Sequence, residues 1–163
     1  RFSVYRASEI ITFCLLTYVL GILIFMKKIA VIDGQGGGIG GLIIKGLREE
    51  FGDSIEIIAL GTNSTATSYM MKARANKGAT GENAIIWNAG KIDIITGPLS
   101  IVLANGMLGE LTPRMSEAIA SSPAKKFLIP LNQEGVEVIG IIKEPLPHLI
   151  EKLIERIKED LYV

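Results

Sequence analysis

The stretch Lys28-Ile-Ala-Val-Ile-Asp-Gly-Gln-Gly-Gly-Gly-Ile-Gly-Gly41 decides how the chain is read. Ile29 to Ile32 form a continuous apolar run rather than an alternating one. That predicts a strand buried on both faces, as in a parallel sheet. Six glycines fall between Gly34 and Gly41, and a helical pattern follows with Leu42, Ile43, Leu47 and Phe51 on one face. Strand, glycine turn and helix in that order aim a helix N-terminus at a ligand phosphate.

Two dinucleotide-type spacings overlap in the turn. Gly36, Gly38 and Gly41 satisfy G-x-G-x-x-G, and Gly34, Gly38 and Gly40 satisfy G-x-x-x-G-x-G. The second is the spacing of the short-chain dehydrogenases, which Gly38-Ile39-Gly40 resembles. Glycine suits such a turn because it tolerates positive φ and lets a pyrophosphate approach the backbone. Asp33, Gly34, Gly36, Gly38, Ile39 and Gly40 are therefore read as the first loop of a nucleotide or dinucleotide site. Ligands of open parallel sheets lie outside the carboxyl ends of the strands. This adds Gly61, Thr62, Asn63 and Ser64 after the second strand and Gly97 after the third, with Thr96, Asn105 and Asn132 as further polar contacts. An NAD site usually carries an acid at the end of the second strand. Hydroxyl and amide groups stand there instead, which favours NADP slightly over NAD. Asp33 is unexpected beside a pyrophosphate, which it would repel unless a cation or sugar hydroxyl intervenes. The competing reading is that it caps the glycine turn through backbone N–H groups. Leu42 after Gly41 breaks the P-loop pattern.

Further strands are predicted at Ile55–Leu60, Ile92–Thr96, Lys126–Leu131 and Val136–Ile142, the last an antiparallel edge strand. The first helix should end at Gly52. A helix follows the capping residues Gly61 to Thr65 and runs to about Ala75, with a turn at Gly78. A short helix is expected between a Thr80 cap and Gly90 at C′. Ile101–Leu108 is open between helix and buried loop. Thr112-Pro113 is a cap with proline at the first helical position, and Pro145 and Pro147 open a last helix. The expected fold class is α/β, a single Rossmann-like three-layer domain with a mainly parallel sheet.

Catalysis is harder to read. The short-chain dehydrogenases use Tyr-x-x-x-Lys, and at that offset Tyr5, Tyr18 and Tyr69 are followed by Glu9, Ile22 and Ala73. Asn88-Ala89-Gly90 echoes another motif of that family but comes too early in the chain. With one histidine, His148, and one cysteine, Cys14, imidazole clusters, thiolate zinc sites and disulfides are excluded. Glu82 and Glu110 sit in glycine-containing loops within reach of a ligand, and the simpler reading is solvated charge. A lining of glycine, serine, threonine and asparagine suits binding more than chemistry. The leading reading is a Rossmann-like protein that binds a nucleotide or dinucleotide, with an NAD(P)-dependent reductase requiring a substrate or partner to complete its site. The alternative is a non-catalytic sensor or accessory module for a phosphorylated metabolite.

The 17 basic and 17 acidic residues balance, so no global field favours nucleic acid. The expected partner is a small phosphate-containing ligand, with room left for a homo-oligomer. Ile10 to Phe25 is an uncharged apolar run flanked by basic residues, just short of the roughly 20 residues a spanning helix needs. Residues 1–25 are read as an extension outside a native domain that begins at Met26. The domain is expected in the cytoplasm, or anchored to a membrane through Ile10–Phe25 if that extension is native.

From Met26 onward the chain resembles one small bacterial family, domain of unknown function 3842. The resemblance rests on the glycine loop, Ala59-Leu-Gly-Thr-Asn63, Gly78-Ala-Thr-Gly-Glu-Asn83, Asp93-Ile-Ile-Thr-Gly-Pro98, Leu108-Gly-Glu-Leu-Thr-Pro113 and Ile129-Pro-Leu-Asn132. It implies a compact Rossmann-like cytoplasmic domain and no particular activity.

Overall fold

The computed structural model describes residues 11, 12, 15, 26–131 and 135–162. The readings of Ile10–Phe25 as an extension or anchor, and of Asn132 as a ligand contact, lie almost wholly outside these residues. Strands β1 (Lys28–Asp33), β2 (Glu56–Gly61), β3 (Lys77–Thr80), β4 (Ile94–Pro98) and β5 (Lys125–Ile129) alternate with helices. The helices are α1 (Gly38–Phe51), α2 (Ser64–Lys72), α3 (Glu82–Ala89), α4 (Pro113–Ser121) and α5 (Leu146–Leu161), with a 3₁₀ turn at Leu99–Val102. Among the described residues no helix is long and apolar enough to cross a membrane.

All five strands are parallel, in the order β3-β2-β1-β4-β5. Alternate residues of β1 feed opposite faces of this sheet. Ile29 and Val31 join Ile43, Ile44 and Leu47 of α1 and Ile150, Leu153, Ile154 and Ile157 of α5. Ala30 and Ile32 join Ile85 of α3, Ile101, and Met115 and Ile119 of α4. A strand clad on both sides must be apolar throughout, which is why its sequence does not alternate. Because β2 and β4 flank β1 on opposite sides, the chain reverses its direction of travel across the sheet there. The crevice at such a switch point, outside the strands' carboxyl ends, is where doubly wound sheets take ligands.

The antiparallel edge strand expected at Val136–Ile142 is not formed. That segment carries turns and a single bridge residue, and Ile139 and Ile142 are exposed. Alternating valine and isoleucine satisfy a strand pattern, but propensity acts only where a neighbouring edge offers hydrogen bonds. The fifth strand is instead β3, at the stretch read as a turn. Lys77-Gly-Ala-Thr80 is mostly exposed and pairs only with β2, so it lacks the apolar signature of its buried neighbours. Thr80 accordingly ends β3 rather than capping α3, whose N-cap position is Gly81. Asn88-Ala89-Gly90 closes α3 and lies at no strand end. Thr112 does cap α4, accepting from the Met115 N–H.

At the end of the sheet away from the glycine loop, the buried Arg48 gathers three segments. Its Nε donates to the Arg74 carbonyl at 2.8 Å and Nη1 to the Gly52 carbonyl at 2.6 Å. Nη2 donates to Asn76 Oδ1, which also accepts from the Ile57 N–H. Removing the guanidinium takes the side-chain donor from the Arg74 and Gly52 carbonyls and one of two donors from Asn76 Oδ1. Arg48→Ala should therefore lose about 2–4 kcal/mol in denaturant unfolding. A loss below about 0.5 kcal/mol would show that water replaces the side chain freely.

Candidate functional site

The loop between β1 and α1 is held from beneath by the buried Asp33. Its Oδ1 accepts the Gly34 N–H at 2.8 Å and its Oδ2 the Gly40 N–H at 2.7 Å. Burial raises this carboxyl above its usual range, against the N–H groups of Gly40, Gly34 and Ile39 that lower it, and the charge of Glu110 adds to the rise. The capping reading of Asp33 is thus the observed one. It also means that the amides of Gly34 and Gly40 face the protein's own carboxylate rather than a ligand.

The other side of the loop is tied to the end of β2. Asn63 caps α2, its Oδ1 accepting the Ala66 N–H, while its Nδ2 donates to the Gln35 carbonyl at 3.0 Å. Into the same corner reaches Glu110, from the connection between β4 and α4. Its Oε2 accepts from the Gln35 N–H at 2.8 Å, Thr62 Oγ1 at 2.6 Å and Asn63 Nδ2 at 2.8 Å. Burial works to raise the Glu110 carboxyl, and the bonds from Thr62, Gln35 and Asn63 outweigh it and hold it below its usual value. It is ionised at neutral pH. Met107, Leu108 and Gly109 just before it are successive left-handed residues. The turn is closed by Gly109 N–H on the Asn105 carbonyl and Leu111 N–H on the Gly106 carbonyl, with Met107 and Leu111 buried.

The glycines of the loop divide into two kinds. A Cβ on Gly34 would lie 2.5 Å from Met107 Sδ and Thr62 Oγ1. Gly37 has φ +71° and faces Ala66 backbone at 2.7 Å, Gly40 faces Met70 and Asp33, and Gly41 faces Tyr69. The fold itself needs these four. Gly36 and Gly38 differ: both are exposed, neither has a left-handed φ, and a Cβ on either would meet nothing within 4 Å. Neither amide hydrogen of this pair takes an acceptor among the described residues.

The remaining residues read as ligand contacts fall into place around this corner with different roles. Thr62 and Asn63 are half-buried and Ser64, at the first turn of α2, is exposed. Gly61 and Gly97 are buried, packed against Thr67 and the Ile32 carbonyl, and Ile39 is part of the α1 core contact. Thr96 is fully buried, its Oγ1 without a hydrogen-bond partner, so it offers nothing at the surface. Asn105 is exposed in the β4–α4 connection. Glu82 is bound away from the corner, bridging Thr112 Oγ1 and Arg114 at the start of α4. Glu110 was the residue least visible as part of a site. Its place follows from β4 lying next to β1, which no local pattern announces. A cavity of about 300 Å³ also opens past the ends of β4 and β5, lined by Leu99, Leu131, Val138, Ile141 and Leu149. Among the described residues no group of three or more histidine, cysteine or carboxylate side chains could hold a metal ion.

A family model described as "Domain of unknown function (DUF3842)" matches residues 28–162. The chain belongs to this family. No curated protein and no solved structure matches the chain.

The division of the glycines is open to direct measurement. Gly37→Ala should cost at least about 2 kcal/mol in urea unfolding, from the left-handed φ and the Ala66 contact together. Gly36→Ala and Gly38→Ala should stay within about 1 kcal/mol of wild type, with Gly38→Ala on the stabilising side. Equal losses at all three positions would mean that the fold alone demands every glycine.

Proposed function

We propose that the chain binds a nucleotide or dinucleotide at the switch point, with a phosphate over Gly36 and Gly38 and a ribose toward Thr62, Asn63 and Glu110. The observation that carries this is the pair of exposed glycines that the fold does not need. A residue with open space at Cβ and ordinary φ is spared a side chain for a reason outside the chain, and a ligand lying on the backbone is such a reason. Two free amides at the start of a 14-residue helix suit an anion. The sheet order supports the same place, because it puts this loop at the point of strand reversal.

The cavity beyond β4 and β5 lies on the same edge of the sheet. Its size, at the lower end of the roughly 300–1,000 Å³ of small-molecule sites, suits the second half of a dinucleotide or a small substrate. An NAD(P)-dependent reductase uses both places. A sensor or accessory module for a phosphorylated metabolite uses the glycine loop alone, and the absence of Tyr-x-x-x-Lys favours it.

Thermal melts of the full chain with NAD, NADP, AMP and S-adenosylmethionine, each added separately, test the proposal. A ligand at a hundredfold its Kd adds about 2.7 kcal/mol to stability, a rise of several degrees in Tm. At least one adenine nucleotide should raise Tm, and Gly38→Ala should keep the melting temperature of the free protein while losing that rise. No shift with any of the four at millimolar concentration would overturn the reading. Hydride exchange on added carbonyl compounds then separates reductase from sensor.

A further inference from the structure

Resting on that reading of the site, we infer that Glu110 selects ribose with a free 2′-hydroxyl and excludes ligands phosphorylated there. In dinucleotide sites the ribose diol lies against the end of the second strand, and an acid carried by that strand's end accepts its hydroxyl hydrogens. No acid follows β2 here, since Gly61-Thr62-Asn63-Ser64 occupies the place. The structure supplies one from elsewhere in the chain. Glu110 is 48 residues from Thr62 in sequence, yet Oε2 bonds both Thr62 Oγ1 and Asn63 Nδ2.

The two oxygens of this carboxylate are used differently. Oε2 takes three donors, from Gln35, Thr62 and Asn63, which fix the group in the corner. Oε1 takes none from the described residues. One oxygen is therefore an anchor, and the other retains its capacity to accept from a hydroxyl. An ionised carboxylate accepts and cannot donate, so it matches a diol and opposes a phosphate.

The same contacts remove what a 2′-phosphate would need. The hydroxyl and amide at Thr62 and Asn63, which taken alone favour NADP, already donate to Glu110. A phosphate placed beside them meets one negative charge, and neither of these two side chains keeps a donor for it. Arg114, the basic residue nearest in sequence to Glu110, is paired with Glu82. The preference drawn from residues 61–64 alone is thereby reversed: the site takes NAD over NADP, and ADP over its 2′-phosphorylated counterpart.

Binding of NAD and of NADP to the full-length chain, measured by calorimetry at low and at 0.5 M salt, tests this. The pair differs only in the 2′-phosphate. Wild type should bind NAD at least about tenfold more tightly at low salt, and the ratio should shrink at high salt as the repulsion is screened. Glu110→Gln keeps the size of the side chain and an acceptor oxygen for Thr62 and Asn63 but drops the charge. It should tighten NADP by about tenfold, the order expected for removing one close charge, while NAD weakens or stays the same. Far-ultraviolet circular dichroism and Tm of the variant separate this from loss of folding, and the salt dependence of wild type answers the question without any variant. Equal wild-type affinities, a preference for NADP, or a ratio untouched by Glu110→Gln would overturn the role of Glu110 and leave nucleotide binding standing. Failure of both dinucleotides to bind would overturn the role of Glu110, and failure of AMP as well would overturn the two together.

Discussion

The carboxylate of Asp33 on the amides of Gly34 and Gly40 is the contact on which the corner depends. It ends β1 and begins α1 with one side chain, spanning seven residues with two hydrogen bonds. A glycine-rich turn is entropically costly to order, and a buried acceptor on two of its donors is what holds this one in a single shape. The cost is visible in the carboxyl itself, which burial raises above its ordinary range. By occupying those amides, Asp33 leaves Gly36 and Gly38 as the exposed donors of the loop. On the proposed reading, a ligand meets only these two donors of the loop.

Around this contact the three strand-end connections are laced together by few residues. Asn63 caps its own helix with one atom and holds the glycine loop with another. Glu110 closes the third side, and its position is fixed by a turn in which left-handed Met107 and Leu108 cost about 1–2 kcal/mol each. Such a turn persists where its surroundings hold it, here through buried Met107 and Leu111. The outcome is an acid delivered to the end of β2 by a segment remote in sequence.

What the sequence made legible follows from how each signal arises. Buried parallel strands announce themselves by unbroken apolar runs, so β1, β2 and β4 were readable from Ile29–Ile32 and its counterparts, and the half-buried edge strand β5 from Phe127-Leu-Ile129. Helix α4 was readable because a capping threonine before proline is a local chemical device, and α5 because its apolar face recurs with helical period. Lys77-Gly-Ala-Thr80 was not readable, since an exposed edge strand carries no apolar signature. Val136–Ile142 misled for the opposite reason: it has the side chains of a strand, while among the described residues only Val136 makes a bridge. The corner of Asp33 and the glycines was legible because strand, turn and helix are contiguous. Glu110 was legible only as a loop acid, because its role depends on the adjacency of β1 and β4.

On the proposed reading, Gly36 and Gly38 face a ligand phosphate. Amide ¹H–¹⁵N spectra of the full chain, titrated with ADP, test it most directly. The Gly36 and Gly38 resonances should move first and farthest, downfield as a phosphate oxygen accepts their protons. Gly34 and Gly40, already bonded to Asp33, should move little. Saturating ADP that leaves Gly36 and Gly38 in place, or that moves Gly34 and Gly40 instead, would contradict it.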